Sequence, residues 1–291
     1  MPAPKTQIAS IYHRRIGDIV VTSLSDGILV RSNEMMHGVS VDEGKKHLDA
    51  AFRTEFALSI NAFVLHMKDK LVLVETGSGN YFGAVAGHLI GNLKAAGIAP
   101  EWIDAILLTH MHPDHSAGLT DLATGKKNFP NAELVMHENE PKHWFDDAAM
   151  AKGTEREKKF MFQQGREQTT PYKAQWRLFK RGEVLPGVTA IPASGHTPGH
   201  TSFLIESKGE RLLIWGDTVH IPEVQVPRPE IAMVVDTDPA GAVASRKRMF
   251  DMAASERMLV AGMHLHFPGF GHIARQGAGY AFVPEAWRQS L

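Results

Sequence analysis

The chain is 291 residues long, with 31 Lys+Arg against 32 Asp+Glu and 43% hydrophobic residues, the balance of an average folded globular protein. Disorder would need fewer apolar residues and a larger net charge, and a nucleic-acid binder working through a broad basic surface would not balance its charges. Cysteine is absent, which excludes disulfides, thiolate metal sites and a Cys nucleophile, so any metal must be held by imidazole and carboxylate.

Strands, turns and helices alternate from Asp18 onward, and Met1–Ile16 reads as an N-terminal extension. Asp18–Leu24 is a β-rich run that ends at the turn signal Ser25-Asp26-Gly27. Ile28–Leu58 is polar and irregular and reads as a long surface excursion. Asn61–His66 and Leu71–Glu75 form a hairpin around Lys68-Asp69-Lys70, closed by the break Gly77-Ser78-Gly79. A helix is predicted over Gly83–Ala96, where Val85, Leu89 and Leu93 recur at i+4 and Gly97 ends it. Ile103–Thr109 is a short buried strand, and Glu133–Met136 is another. Pro141–Pro171, charged with embedded aromatics, reads as helical with a mobile connection. Val188–Ile191, Thr201–Glu206 and Arg211–Trp215 are strands, the last two a hairpin through Ser207–Glu210. Asp238–Ala254 is a helix and Met258–Met263 a final strand. No interdomain linker is evident, so the chain reads as one domain with two sheets and outer helices.

The longest apolar runs, Ile103–Leu108 and Met258–Met263, fall far short of the roughly 20 residues a bilayer requires. Met1–Gln7 lacks the apolar stretch of a secretory signal. A cytoplasmic location is the default, with a removed leader as the alternative.

The chemistry-bearing segment is Thr109-His110-Met111-His112-Pro113-Asp114-His115, placed directly after a buried strand. In an extended segment residues i and i+2 point the same way, so His110 and His112 can share one metal. Pro113 ends the extension, and the following turn can carry Asp114 and His115 toward a second ion. A lone histidine would be read as a surface or satisfied core residue; that reading does not explain four ligand-type side chains at one strand mouth. Comparable groups stand at later strand ends: Gly195-His196 after Val188–Ile191, Gly216-Asp217 after Arg211–Trp215, and His264 after the last strand. Gly195 and Gly216 suit positions of close backbone approach beside a crowded centre.

The set His110, His112, Asp114, His115, His196, Asp217 and His264 resembles the two-metal hydrolase branch of the metallo-β-lactamase fold superfamily. Leu71–Gly77, Leu93–Gly97, Thr109–His115, Phe129–Ala132, Gly195–Thr201, His264–Ile273 and Gly279–Pro284 are similar to the methyl parathion hydrolase-like group, a relative of the lactonases that open acyl-homoserine and aryl lactones. The similarity runs from about Gly17 to Pro284. It implies an α/β fold, a four-layer αββα sandwich. One divalent metal ion would be held by His110, His112 and His196, the other by Asp114, His115 and His264, with Asp217 bridging. Zinc suits these ligands, as do manganese, cobalt and iron. The group tends toward homodimers, with Pro141–Pro171 or Ile28–Leu58 as contact segments.

Two such ions about 3.5–4 Å apart turn a shared water into a nucleophile near neutral pH, so no Ser or Cys is required. Asp114 either carries the proton to the leaving oxygen or is a ligand only. By resemblance Phe82, Trp144, Phe160 and Phe162 line an aromatic pocket over the metals; otherwise they are core. His220 faces the substrate or is an exposed loop residue, while His200, His266 and His272 are structural or support ligands. The implied substrate is a small hydrophobic lactone or aryl ester, with organophosphate triesters as a side activity or, in a dedicated phosphotriesterase, the main one. A glyoxalase II-type thioesterase would want a cationic cluster, and Arg246, Lys247 and Arg248 read instead as a solvated helix face. A β-lactamase would carry Cys in its second site. A flavodiiron oxidoreductase carries Glu in place of His112 and needs a flavin domain, and a non-catalytic sensor would have lost ligands.

Overall fold

The computed structural model describes residues 3–5 and 7–291. Two seven-stranded sheets are built in chain order. The first holds β1 (Ile11–Ile16), β2 (Ile19–Arg31), β3 (Phe56–His66), β4 (Leu71–Val74), β5 (Ala105–Leu107), β6 (Glu133–His137) and β7 (Trp176–Phe179). The second holds β8 (Gly182–Leu185), β9 (Val188–Pro192), β10 (Thr201–Ser207), β11 (Glu210–Ile214), β12 (Leu259–Ala261), β13 (Phe270–Gln276) and β14 (Gly279–Pro284).

Side chains of the two inner faces form a common core, with Val21, Phe63, Val72 and Leu107 from one sheet meeting Phe203, Ile205, Ile214 and Phe270 from the other. The outer face of the first sheet buries Leu24, Val64, Leu73 and Ile106 under Leu89 and Leu93 of the Leu89–Ala95 helix. The outer face of the second buries Leu213 and Val260 under Met249 and Phe250 of the Pro239–Ser255 helix. Alternate residues of each central strand therefore serve different layers, as a sheet covered on both sides requires. This is the four-layer αββα arrangement.

Several local expectations are corrected. The expected N-terminal extension contains β1, an edge strand paired antiparallel with β2. Ser25-Asp26-Gly27 is a register shift within β2, not a turn, and β2 continues to Arg31. The reason lies in Asp26, whose buried carboxylate accepts the backbone N–H groups of Ser78, Gly87 and Leu89. The side chain that looked like a local turn former is spent on residues far along the chain. The surface excursion carries the Val41–Ala50 helix, capped by Ser40, before β3 begins at Phe56. The predicted Gly83–Ala96 helix is reduced to Leu89–Ala95; Leu89 and Leu93 are buried, whereas Val85 is exposed in a separate turn. β13 and β14 were not foreseen, since half of β13 is exposed and breaks the apolar pattern. No helix among the described residues is long and apolar enough to cross a membrane.

Candidate metal centre

The strand topology brings four chain segments to one edge. β4 and β5 run parallel, as do β11 and β12, so the loops leaving β5, β11 and β12 emerge where these parallel strands end. β9 and β10 are antiparallel, and their connecting loop, residues 193–200, lies at the end where β11 finishes. The two sheets are joined there by the Thr201 N–H donating to the Thr109 carbonyl at 3.0 Å. His112 adopts an extended conformation before the one-turn Pro113–Ser116 helix, which turns Asp114 and His115 away from it.

All seven residues expected as ligands converge. The ring nitrogens of His110, His112 and His196 lie within 4.8 Å of one another, and so do the ligand atoms of Asp114, His115 and His264. Asp217 stands between the groups. Its Oδ2 is 3.2 Å from Nε2 of His196 and 3.7 Å from Nε2 of His110. Its Oδ1 is 3.1 Å from Nε2 of His115, and His264 Nε2 is 3.3 Å from both oxygens. Of the six residues that make up the two groups, only Asp114 is more than slightly exposed, its side chain being 17% accessible.

The inward-facing nitrogens are aimed by what holds the outward ones. His196 Nδ1 donates to Asp236 at 2.7 Å, and His264 Nδ1 donates to the Ser59 carbonyl at 2.7 Å. His200 is not in either group. Its Nδ1 donates to the Ala193 carbonyl and its Nε2 accepts the Asp217 N–H at 2.9 Å, so it fixes the Asp217 backbone. Burial, helped by the neighbouring His196, depresses its pKa to about 3 and keeps it neutral. Gly216 is required beneath it, because at φ +57 an added Cβ would lie 2.5 Å from His200 Nε2. Gly195, at φ +133, has the backbone N of Ala242 2.0 Å from where a Cβ would stand.

Burial, reinforced by nearby imidazoles, pushes His110 and His112 well below the ordinary histidine value, which keeps them neutral as ligands must be. Burial acts on His115, His196 and His264 too, but carboxylates outweigh it. Asp217, Asp114 and Glu75 hold His115 well above its ordinary value. Asp217 and Asp236 raise His196 to about 9, and Asp217 and Asp114 raise His264. Against its own burial, Asp217 is held well below the carboxylate range by His115, His264 and His220.

The donor set also passes a test of fit. Both ring nitrogens of His115, both of His220 and Oδ1 of Asp217 are buried without a hydrogen-bond partner. An unsatisfied buried polar atom costs about 1–3 kcal/mol, and cations between these nitrogens and oxygens would relieve it. Nitrogen and oxygen donors without sulfur suit divalent metals.

The centre opens into a cavity of about 330 Å³ whose walls include Phe82, Phe160, Tyr81, Leu29 and Met161, with His112, Asp114, His196, Asp217 and His220 at its base. Tyr81 packs edge-on against Phe82 and Phe160, and its hydroxyl donates to the Phe160 carbonyl at 3.2 Å. Two of the expected pocket aromatics are placed elsewhere. Trp144 and Phe162 are buried in the outer-layer core and border a neighbouring hollow behind His112. Trp144 packs against His112 and Phe162, and its Nε1 is committed to Glu140 at 2.8 Å. His220 is not an exposed loop residue: it is buried, with Nε2 3.1 Å from Asp217 Oδ2, and so adds an imidazole to the cluster. Arg246 is likewise not on a solvated face. It is buried and donates to the carbonyls of Thr218, Pro229 and Ile231.

Glu140 and Asp236 were missed in the sequence. Neither lies near a ligand in the chain; Glu in a helical, aromatic-rich segment and Asp before a helix carry no local mark of their role. His266, paired with Glu223, and His272, donating to the Met258 carbonyl, are structural as expected.

The chain is 33% identical to AbOPH, a hydrolase in the beta lactamase superfamily, over 98% of this chain and 100% of that one, with a TM-score of 0.92. It is 27% identical to AidC, described as a dizinc quorum-quenching lactonase in complex with its product, over 97% and 99% of the two chains with a TM-score of 0.88. Among curated proteins it is 28% identical over 165 residues to the uncharacterized protein YobT of Bacillus subtilis (strain 168), covering 56% of this chain and 63% of that relative's length. The family model described as Metallo-beta-lactamase superfamily matches residues 56–264, the span that holds every candidate ligand. By that match, and with the same fold across almost its whole length, the chain belongs to the metallo-beta-lactamase superfamily.

Proposed function

We propose that the protein is a hydrolase that uses two divalent cations, zinc foremost, to open lactones such as acyl-homoserine or aryl lactones, or to cleave hydrophobic aryl esters. The reading is carried by the position of Asp217 between two ligand groups at the base of an aromatic-walled cavity. His110, His112 and His196 would hold one cation, Asp114, His115 and His264 the other, and Asp217 both. Bound there, the pair would supply a water-derived nucleophile at neutral pH and a Lewis acid for the ester oxygen.

The remaining work falls to the chain. Asp114 lines the cavity and is the most accessible of the candidate ligands, which suits it to carry a proton to the leaving oxygen. Phe82 and Phe160 would receive the apolar part of the substrate, and the Tyr81 hydroxyl ties their segments together. Burial of Tyr81 raises its pKa to about 12, so it stays a donor at any working pH. The similarity to AidC supports both the metal pair and the lactone class.

A kinetic panel on the purified protein tests this: acyl-homoserine lactones, dihydrocoumarin, an aryl ester, paraoxon and S-lactoylglutathione, beside metal analysis by mass spectrometry. Two ions per chain, turnover of lactone or aryl ester, and loss of turnover in His112→Ala with the fold intact are expected. Hydrolysis of the thioester alone overturns the substrate class, and preference for paraoxon makes the protein a phosphotriesterase. Light scattering checks the homodimer implied by the resemblance.

A further inference from the structure

The cavity is apolar along its walls but carries two guanidinium groups. Arg31, the last residue of β2, and Arg156, from the short helical turn Glu155–Glu157, both line it. Arg31 donates to the Val30 carbonyl at 3.3 Å, and among the described residues neither arginine has a carboxylate within ion-pair distance. Other arginines of the chain, such as Arg14, Arg166 and Arg228, do pair. The guanidinium carbon of Arg31 sits 5.0 Å from the centre of the Phe82 ring, a cation–π contact that stations the charge on the apolar wall. Burial lowers its pKa and Asp114 pulls the other way, but a guanidinium remains charged throughout. Arg156 is exposed and stands at the rim.

The charge of the loaded cavity follows. Its acidic lining residues are Asp114 and Asp217, and two divalent cations outweigh them before the guanidiniums are counted. A low-dielectric cleft with a surplus of one sign concentrates ligands of the other. Guanidinium presents paired N–H donors in the geometry of a carboxylate. Resting on the two-cation hydrolase reading, we propose that Arg31 and Arg156 receive a carboxylate remote from the scissile bond. The substrate is then an ester or lactone whose hydrophobic chain ends in a carboxylate: the reacting carbonyl lies at the metal base, the chain lies along Phe82 and Phe160, and the anion reaches the arginines.

The test separates this inference from the reading it rests on. Calorimetric titration of the zinc-loaded protein compares hexanoate, with one carboxylate for the metals, and adipate, which adds a second. Adipate binds at least tenfold tighter, and the advantage shrinks in 0.5 M NaCl. It falls to within about twofold in Arg156→Met, where the exposed position makes misfolding no obstacle, and reverses in Arg156→Glu. Arg31→Met weakens adipate as well. In parallel, kcat/KM for the 4-nitrophenyl monoester of adipate exceeds that for 4-nitrophenyl hexanoate, with the difference in KM. Equal binding of adipate and hexanoate overturns the inference whether or not either ester is hydrolysed. Hydrolysis of neither ester, with the adipate advantage intact, overturns the ester reading while upholding the anion receptor.

Discussion

Oε2 of Glu140 accepts the backbone N–H of Met111 at 2.9 Å, the peptide that separates His110 from His112. The same oxygen takes the Trp144 indole, while Oε1 takes the Gly199 N–H at 2.8 Å and the Thr197 hydroxyl. One buried carboxylate thus fastens the loop of His110 and His112 to the loop of His196. Burial raises its pKa, and its four donors pull it back.

Glu140→Gln sets an amide N–H against two of those donors. The unfolding free energy falls by about 2–3 kcal/mol, and the cation at His110, His112 and His196 is held roughly 10–100-fold less tightly. Urea unfolding and zinc competition against a chelator measure the two effects. Wild-type zinc retention would show that Glu140 serves the fold alone.

Asp217 offers an oxygen to each histidine group, and asparagine offers one oxygen and no charge. Asp217→Asn is expected to carry one ion or fewer per chain, against the two expected of the wild type. Turnover drops by at least ~100-fold, the scale of losing a charge-stabilising group. Metal analysis and initial rates on a lactone decide it, and two retained ions with full turnover would sink the bridging role.

Arg246 is 1% exposed and satisfies the carbonyls of Thr218, Pro229 and Ile231. Burial lowers its pKa only to about 10, so it remains charged. Arg246→Met leaves the Thr218 and Pro229 carbonyls unpaired, while Gln225 still serves that of Ile231, a loss of about 3 kcal/mol. In a chain of this size that lowers Tm by roughly 6–12 °C. Calorimetry reads the shift, and a fall below about 2 °C contradicts it.

Glu223 bonds His266 Nε2 at 2.5 Å and Arg53 Nε at 3.1 Å. Burial pushes its carboxyl up, but these partners hold it below the ordinary glutamate value. A depressed folded-state pKa adds stability that is fully present above the unfolded value, near 4.3, and is lost as pH falls through the folded value. Wild type should exceed Glu223→Gln by about 1 kcal/mol at pH 5.5, and the gap should close toward pH 3. Urea titrations at pH 5.5, 4 and 3 follow it; a gap that widens on acidification contradicts the assignment.

The candidate ligands were legible because their signal is local. Three histidines and an aspartate within Thr109–His115 follow a strand directly, and Gly195-His196, Gly216-Asp217 and His264 repeat the placement. Strand alternation and the turn at Pro113 decide which way these side chains start, and both are properties of short peptides. The central strands were legible for the same reason, as compact apolar runs. β1, β13 and β14 were not, because edge and half-exposed strands lack that pattern.

Composition and local spacing by themselves determined that any metal here meets imidazole and carboxylate, not sulfur, and that these groups stand at the ends of buried strands. The tertiary structure alone decided which side chains aim those ligands and what surrounds them. Asp26 became an anchor for residues 78–89, Glu140 and Asp236 became supports for distant histidines, and Arg246 went inside. A buried polar group is stable only where partners meet it, and here most of those partners lie 15 to 63 residues away in the chain, a distance that no periodicity can report.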